Sequence, residues 1–156
     1  MGHPSLEPDK PCQFAASESR SALATLEPGG KHPRILFADD DPQLQRSMKR
    51  VAVQRGDELV QVTCGAQTFG RALESQPDLI ILDMGFPDTD GRDVLAQLKG
   101  DQRTAQIPVV VWSAGRRDPE SDSRIALALG AEDYIEKADA QLLFRKLDRV
   151  LLRLSI

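Results

Sequence analysis

The stretch RILFADDDP, residues 34–42, joins a hydrophobic run to three consecutive aspartates and a proline. Its first five residues have the apolar composition of a strand that is buried on both faces. Asp39, Asp40 and Asp41 follow directly, and three like charges in a row repel one another unless solvent or a cation compensates them. The stretch therefore predicts a strand, an acidic loop and a helix that begins at Pro42.

Four further hydrophobic runs follow the first and alternate with amphipathic segments, at residues 58–63, 78–82, 107–112 and 133–136. Helical periodicity is clearest in the first and last of these segments, at Leu44, Met48, Val51 and Arg55, and at Leu143, Leu147, Val150 and Leu154. Weaker helices are predicted around residues 69–74, 94–98 and 125–129. Five β-α units in sequence predict an α/β fold, a parallel sheet with helices on both faces.

The chain changes character near Pro33. Residues 1–33 contain five of the ten prolines and a Gly29-Gly30 pair, and they hold few large apolar residues. We therefore predict a mostly disordered N-terminal tail over residues 1–33 and one folded domain over residues 34–156. A short helix across 14–26 is an alternative within the tail.

Composition excludes several functions. The chain has 156 residues, 40% of them hydrophobic, and no apolar run approaches the roughly 20 residues that a membrane span needs. The net charge is −4 and basic residues are scattered, so no nucleic-acid surface is predicted. Cys12 and Cys64 lie far apart, and His3 and His32 are the two histidines, which argues against a zinc site. Because the N-terminus lacks the pattern of a secretory signal, the expected location is cytoplasmic.

Polar side chains follow most of the predicted strands. The acidic residues 39–41 follow the first strand, Asp83 the third, Ser113 the fourth and Lys137 the fifth. Residues 63–65, after the second strand, suggest no chemistry. Since the carboxyl ends of parallel strands meet at one edge of a sheet, we expect these side chains to lie close together.

Carboxylates that share a pocket need a cation to remain ionised. Mg2+ is the natural candidate, because it binds a few carboxylates together with water and phosphate oxygens. One aspartate could then act as a nucleophile toward a phosphoryl group and form an acyl phosphate. A lysine and a hydroxyl would contact the remaining phosphoryl oxygens.

Four motifs now identify a resemblance: ILFADDDP, PDLIILDMGFPDTDG, IPVVVWSA and GAEDYIEKA, in this order along the chain. From about Arg34 to Ile156 the sequence resembles the receiver domain of bacterial two-component response regulators. The resemblance implies a flavodoxin-like, CheY-like fold with five parallel strands in the order 2-1-3-4-5. It also implies a phosphorelay function, in which a histidine kinase or a histidine phosphotransfer protein donates the phosphoryl group.

The resemblance assigns metal and acceptor roles to residues of the acidic edge. Asp83 would be the phosphoacceptor. Asp39 and Asp40 would bind Mg2+ with Asp83, Asp40 more directly and Asp39 partly through water. The backbone carbonyl of Gly85 would be a further metal ligand.

Three other residues would contact the phosphoryl group or respond to it. Ser113 would turn toward it, Lys137 would pair with one of its oxygens, and Tyr134 would change its burial on activation. In the family this change remodels the face made by the fourth helix, fifth strand and fifth helix, which binds a downstream protein target.

Asp41 and Asp90 have simpler explanations. Asp41 precedes Pro42 and Asp90 precedes Gly91, so each is predicted to cap the N-terminus of a helix.

Two departures from the family pattern affect the site. Ala138 stands where the family has a proline joined by a cis peptide bond, so a trans or strained link is expected there. Gly85 and Gly115 stand where side chains often tune dephosphorylation, so the lifetime of the phosphorylated state should depend on loop geometry.

Alternatives to the phosphorylated receiver are a receiver-like protein-interaction module that is never phosphorylated, which Ala138 favours, and a Mg2+-dependent phosphohydrolase. The phosphohydrolase is disfavoured because no acid stands two residues after Asp83. The last predicted helix, residues 139–154, leaves no room for an output domain, as in a single-domain response regulator, unless such a domain was truncated.

Overall fold

The computed structural model describes residues 32–114, 118–137 and 140–154. Five strands form one parallel sheet in the order β2-β1-β3-β4-β5. They are β1 (Arg34–Ala38), β2 (Glu58–Val62), β3 (Leu79–Leu82), β4 (Val109–Ser113) and β5 (Asp133–Glu136). The predicted fold class and strand order are confirmed, with strand ends that differ from prediction by at most two residues.

Helices cover both faces of the sheet. They are α1 (Pro42–Arg55), α2 (Thr68–Ser75), α3 (Gly91–Gly100), α4 (Pro119–Ala128) and α5 (Ala140–Leu154), with a short 3-10 helix (Gly65–Gln67) before α2. One apolar core joins the sheet to α2, α3 and α4. A second joins the opposite face to α1 and α5.

Strand β1 shows how the sheet separates these cores. Leu36 and Ala38 belong to the first core, whereas Ile35 and Phe37 belong to the second, because successive side chains of a strand point to opposite faces. Every residue of β3 and β4 is buried, so the central strands are covered on both faces as their composition predicts.

Helix α1 begins where the sequence predicts. The Asp41 side chain accepts hydrogen bonds from the backbone N–H groups of Gln43 (2.8 Å) and Leu44 (3.4 Å), and Pro42 occupies the first turn. This cap orients the helix directly after the acidic loop.

The buried face of α1 differs from the predicted one. Met48 is buried as expected, but Gln45 and Ala52 are the other buried residues of the helix. Arg55 instead pairs with Asp148 of α5, with 2.7 Å between the charged atoms. A buried polar residue carries no hydrophobic periodicity, so the pattern missed Gln45.

Several predictions fall outside the described residues. They concern the tail up to residue 31 with its possible helix at 14–26, as well as Gly115 and Ala138. Within the described part, none of the helices has the length and apolar character to span a bilayer.

Candidate functional site

Three charged side chains meet at the carboxyl edge of the sheet. Lys137 Nζ lies 2.7 Å from Asp39 Oδ2 and 3.2 Å from Asp83 Oδ1. The Asp39 and Asp83 side chains are 1% and 7% exposed, and that of Lys137 is 20% exposed. Two buried carboxylates therefore share one amine.

The strand ladder positions all three residues. Asp39 N–H donates to Val62 O (3.0 Å), Asp83 N–H to Ala38 O (3.0 Å) and Lys137 N–H to Ser113 O (2.7 Å). Each bond continues the parallel pairing one residue beyond a strand. Their side chains therefore project from a common edge, as the sequence predicts for a parallel sheet.

Asp40 completes a carboxylate cluster. One oxygen from each of Asp39, Asp40 and Asp83 lies within 4.8 Å of the others, and Asp40 is exposed to solvent while the other two are buried. Hard divalent cations prefer such oxygen donors and retain water on their open side. The residues present fit a divalent metal ion.

The electrostatics of the cluster are unbalanced. Burial raises the pKa of Asp39, and the negative charge of Asp83 raises it further, against hydrogen bonds from Lys137 and from the Asp41 backbone. Burial lowers the pKa of Lys137, but hydrogen bonds and charge from Asp39 and Asp83 outweigh burial and leave that pKa raised. The site holds more negative charge than its one amine neutralises.

Ser113 and Tyr134 lie on the last two strands of the sheet. Ser113 ends β4 and is buried, and Tyr134, one residue into β5, packs against the core shared with α2, α3 and α4. Burial raises the pKa of the Tyr134 hydroxyl, and the hydroxyl of Ser113 opposes this. The two hydroxyl groups are therefore neighbours, with the tyrosine directed into the protein.

The loop after Asp83 is tightly closed. Gly85 and Asp90 form an isolated antiparallel bridge, and Asp90 accepts a hydrogen bond from Arg92 N–H (2.9 Å) at the start of α3. A Cβ on Gly91 would lie 2.4 Å from Met84 Cα, so only glycine allows this close approach. The Gly85 carbonyl thus lies in a constrained loop that lines the same pocket as the acidic cluster.

Asp88 is a residue of the site whose role the sequence did not reveal. Its carboxylate accepts hydrogen bonds from Gly65 N–H (3.0 Å) and Ala66 N–H (2.9 Å), which ties the loop after β3 to the segment after β2. A Cβ on Gly65 would lie 2.2 Å from the Thr89 side chain, so these loops are in close contact. Gly65 and Ala66 therefore support the site, although no chemistry was predicted for the segment after β2.

Trp112 lies beneath Lys137. The Lys137 ammonium is 5.8 Å from the centre of the Trp112 ring, which in turn packs against Phe37 with 6.2 Å between ring centres. Arg92 and Asp122 line the same pocket from α3 and α4. Isolated residues of these types carry no sequence signal that would place them at a site.

Comparison with known proteins agrees with this geometry. Residues 35–148 match the family described as the response regulator receiver domain. The transcriptional regulatory protein KdpE of Mycobacterium tuberculosis (strain CDC 1551 / Oshkosh) is 40% identical over 103 residues, which are 66% of this chain and 43% of that protein. The chain therefore spans less than half the length of this curated relative.

Two solved structures are similar to about three quarters of the chain. The BeF3-activated N-terminal receiver domain of Klebsiella pneumoniae RstA has a TM-score of 0.68 and 26% identity, covering 76% of this chain and 97% of that one. The Mn(2+)-bound form of the response regulator Rcp1 has a TM-score of 0.62 and 27% identity, covering 76% and 91%.

The family and its relatives are signalling and regulatory proteins, which agrees with the prediction of a signalling module rather than an enzyme. The acidic cluster at the carboxyl edge fits the phosphoacceptor site of such a module. The chain belongs to the response regulator receiver domain family and is a receiver domain of two-component signalling.

Proposed function

We propose that Asp83 accepts a phosphoryl group from a histidine kinase or a histidine phosphotransfer protein. The observation that carries the proposal is the position of the Lys137 amine, 2.7 Å from Asp39 and 3.2 Å from Asp83, in a cluster that also includes Asp40. A lysine with a purely solvated amine would not contact two buried carboxylates. A phosphoryl site, in contrast, needs a cation at this position.

The chemistry follows from these groups. An Asp83 carboxylate oxygen attacks phosphorus, an O–P bond forms, and the N–P bond of a phosphohistidine breaks with its electron pair returning to the histidine nitrogen. Lys137 pairs with a phosphoryl oxygen and offsets the added charge. Ser113, buried at the end of the neighbouring strand, donates a hydrogen bond from its hydroxyl group to another phosphoryl oxygen.

Asp39, Asp40, Asp83 and the Gly85 carbonyl would hold Mg2+ at this site. The bound ion would neutralise charge on the carboxylates and the phosphoryl oxygens. The mutual distances of the three carboxylates and the Mn(2+)-bound form of Rcp1, a similar structure, support this assignment.

The output would be a change at the face formed by α4, β5 and α5. If Ser113 moves toward the phosphoryl group, Tyr134 can follow into the space beside it. Two ion pairs tie α5 to this region, Lys146 to Asp133 (2.8 Å) and Arg153 to Glu132 (3.1 Å). A downstream protein would recognise the remodelled face.

The remaining partners are proposed on the same basis. The folded domain over 34–156 would contact no membrane and no nucleic acid, and the tail over 1–33 would precede it. KdpE is a transcriptional regulator and extends well beyond the matched part, so the expectation about nucleic acid concerns this domain alone. We also propose a cytoplasmic location, where a histidine kinase would have access to ATP.

The fluorescence of Trp112 tests the proposal. Its ring lies 5.8 Å from the Lys137 ammonium, so Mg2+ with beryllofluoride, a phosphoryl mimic, should change the emission. Asp83→Asn should abolish the change. Asp78→Asn is the matched control. Asp78 directly precedes β3 and Asp83 directly follows it, and Asp78 accepts a hydrogen bond from Arg34 N–H (2.8 Å).

The outcomes separate the three functions. A response that Asp83→Asn removes and Asp78→Asn retains supports phosphoryl acceptance. A folded protein without any response would overturn it in favour of an interaction module. Multiple turnover of a phosphate ester would overturn it in favour of a phosphohydrolase.

A further inference from the structure

Gln45 is a buried amide in the second turn of α1, directly behind the acidic loop. The residue is 6% exposed. Nε2 lies within hydrogen-bond distance of three backbone carbonyls, those of Phe37 (3.2 Å), Asp39 (2.9 Å) and Val62 (2.9 Å). One amide group therefore joins the ends of β1 and β2 to α1.

These contacts immobilise Asp39 from several sides. Its N–H donates to Val62 O (3.0 Å), and its C=O accepts from Gln45 Nε2. Its Oδ1 accepts from Asp41 N–H (2.9 Å), which leaves Oδ2 facing Lys137. Both main-chain polar groups and one carboxylate oxygen of Asp39 are thus held by the protein itself.

Gln61 of β2 fixes the orientation of the Gln45 amide. Gln61 Nε2 donates to Gln45 Oε1 (2.8 Å) and to the Gln45 backbone carbonyl (2.9 Å). Since Oε1 already accepts a hydrogen bond, Nε2 of Gln45 is the atom that must face the three carbonyls. The pair forms one connected network.

We propose that Gln45 is a positioning residue for the divalent metal site, which it serves by holding the backbone of Asp39. The inference rests on the proposed function and deepens it. Asp39 is fully buried, and its carboxylate reaches the cluster from a backbone whose carbonyl accepts a hydrogen bond from Gln45 Nε2 (2.9 Å), so the position of that backbone sets the position of the ligand oxygens. Partners of this kind, one contact behind the ligands, typically change metal affinity about 10- to 100-fold when they are lost.

A buried glutamine can also serve stability alone, so the test needs a matched buried polar residue away from the site. Thr104 meets this need. It is 0% exposed, its Oγ1 donates to Leu98 O (2.6 Å), and it lies just before β4, at the amino edge of the sheet.

The experiment measures Mn2+ affinity by titration with detection of free Mn2+ by electron paramagnetic resonance, together with Tm without metal. We expect Gln45→Met to weaken binding about 10- to 100-fold. Gln61→Leu should weaken it less, because the three carbonyls still hold Gln45. Thr104→Val should lower Tm and leave the affinity unchanged.

Unchanged affinity in Gln45→Met overturns the inference, as does equal weakening in Gln45→Met and Thr104→Val. If Gln45→Met fails to fold, Gln61→Leu decides: weaker binding supports the inference and wild-type affinity overturns it. The two failures are distinguishable. A wild-type protein that binds no Mn2+ overturns the metal site and this inference with it, whereas a wild-type protein that binds Mn2+ but shows no Trp112 response to beryllofluoride overturns phosphoryl acceptance alone.

Discussion

The two edges of the sheet treat charge in opposite ways. At the amino edge, Arg34 Nε lies 3.1 Å from Glu58 Oε2, and both side chains are about a third exposed, at 33% and 32%. At the carboxyl edge, Asp39 and Asp83 are almost completely buried around Lys137. The ion pair at one edge is balanced and in contact with water, whereas the cluster at the other is buried and excessively negative.

This difference separates a structural contact from a functional one. An exposed ion pair contributes about 0–1 kcal/mol, because water already solvates both charges. Buried carboxylates without full compensation reduce stability. A fold that retains such a cluster is suited to receive positive charge and a phosphoryl group, which supports the proposed function.

The largest effect is expected for Lys137→Met, which leaves Asp39 and Asp83 without their amine. We expect a loss of about 2 kcal/mol in the free energy of unfolding at neutral pH. This is below the roughly 3–5 kcal/mol for fully buried pairs, because the lysine side chain is 20% exposed. Denaturant unfolding in EDTA measures it. Added Mn2+ should restore much of the lost stability. An unchanged free energy of unfolding would contradict the conclusion that the carboxyl edge carries excess negative charge.

Asp39→Asn should have the opposite effect to Lys137→Met and raise the free energy of unfolding of the metal-free protein by about 1 kcal/mol. The folded-state pKa of Asp39 lies above its ordinary value of 3.8, through burial first and then through Asp83, against Lys137 and the Asp41 backbone. A carboxyl with a raised pKa holds its proton more tightly in the folded state. The contribution of Asp39 to wild-type stability therefore falls as the pH rises from about the unfolded value through the raised pKa.

Unfolding curves between about pH 3.5 and 8 in EDTA test the direction of this pH dependence. The substituted protein should lack that part of the pH dependence, and its advantage should disappear when Mn2+ is added. The same pH dependence in wild type and Asp39→Asn, with no gain in stability from the substitution, would contradict it.

A smaller effect is expected for Gly85→Asn. It adds a polar side chain beside Asp83, where it can contact an attacking water. We expect a several-fold change in the decay rate of phosphorylated protein, less than the tenfold that about 1.4 kcal/mol of activation free energy would produce. Gly100→Asn is the control, because a Cβ there meets nothing within 4 Å at the far end of α3. Equal decay in both variants and wild type would contradict this prediction.

The smallest effect is expected at the amino edge. Glu58→Gln removes the partner of Arg34 and should cost about 0.5 kcal/mol or less, with further weakening of the pair by salt. Mn2+ affinity should remain at the wild-type value. A larger loss of stability, or any change in metal binding, would remove the contrast between the two edges.

Much of this arrangement was predictable because it depends on neighbours along the chain. Apolar runs identified the strands, and Asp41 with Pro42 marked the start of α1, since a cap acts on the next three residues. The meeting of Asp39, Asp83 and Lys137 followed from one topological rule, that parallel strands end at the same edge. The strand order itself came from the family resemblance.

The residues that escaped prediction act across the chain. Gln45 reaches Val62, 17 positions away, and Asp88 reaches Ala66, 22 positions away. A polar side chain in a helix or a loop has no periodicity that distinguishes a buried role from a solvated one. Their hydrogen bonds exist only after the helices have packed on the sheet.

The sequence by itself determined the β-α alternation, the helix start at Pro42 and the set of charged residues at one edge. Hydrophobic pattern and helix capping are local, so they are present in the order of the residues. Only the tertiary structure decided how deeply Asp39 is buried, which atoms of Lys137 and Gln45 it contacts, and how the loop after Asp83 is closed. Those features depend on packing between segments that are distant in the chain, where small changes of orientation decide whether a hydrogen bond forms.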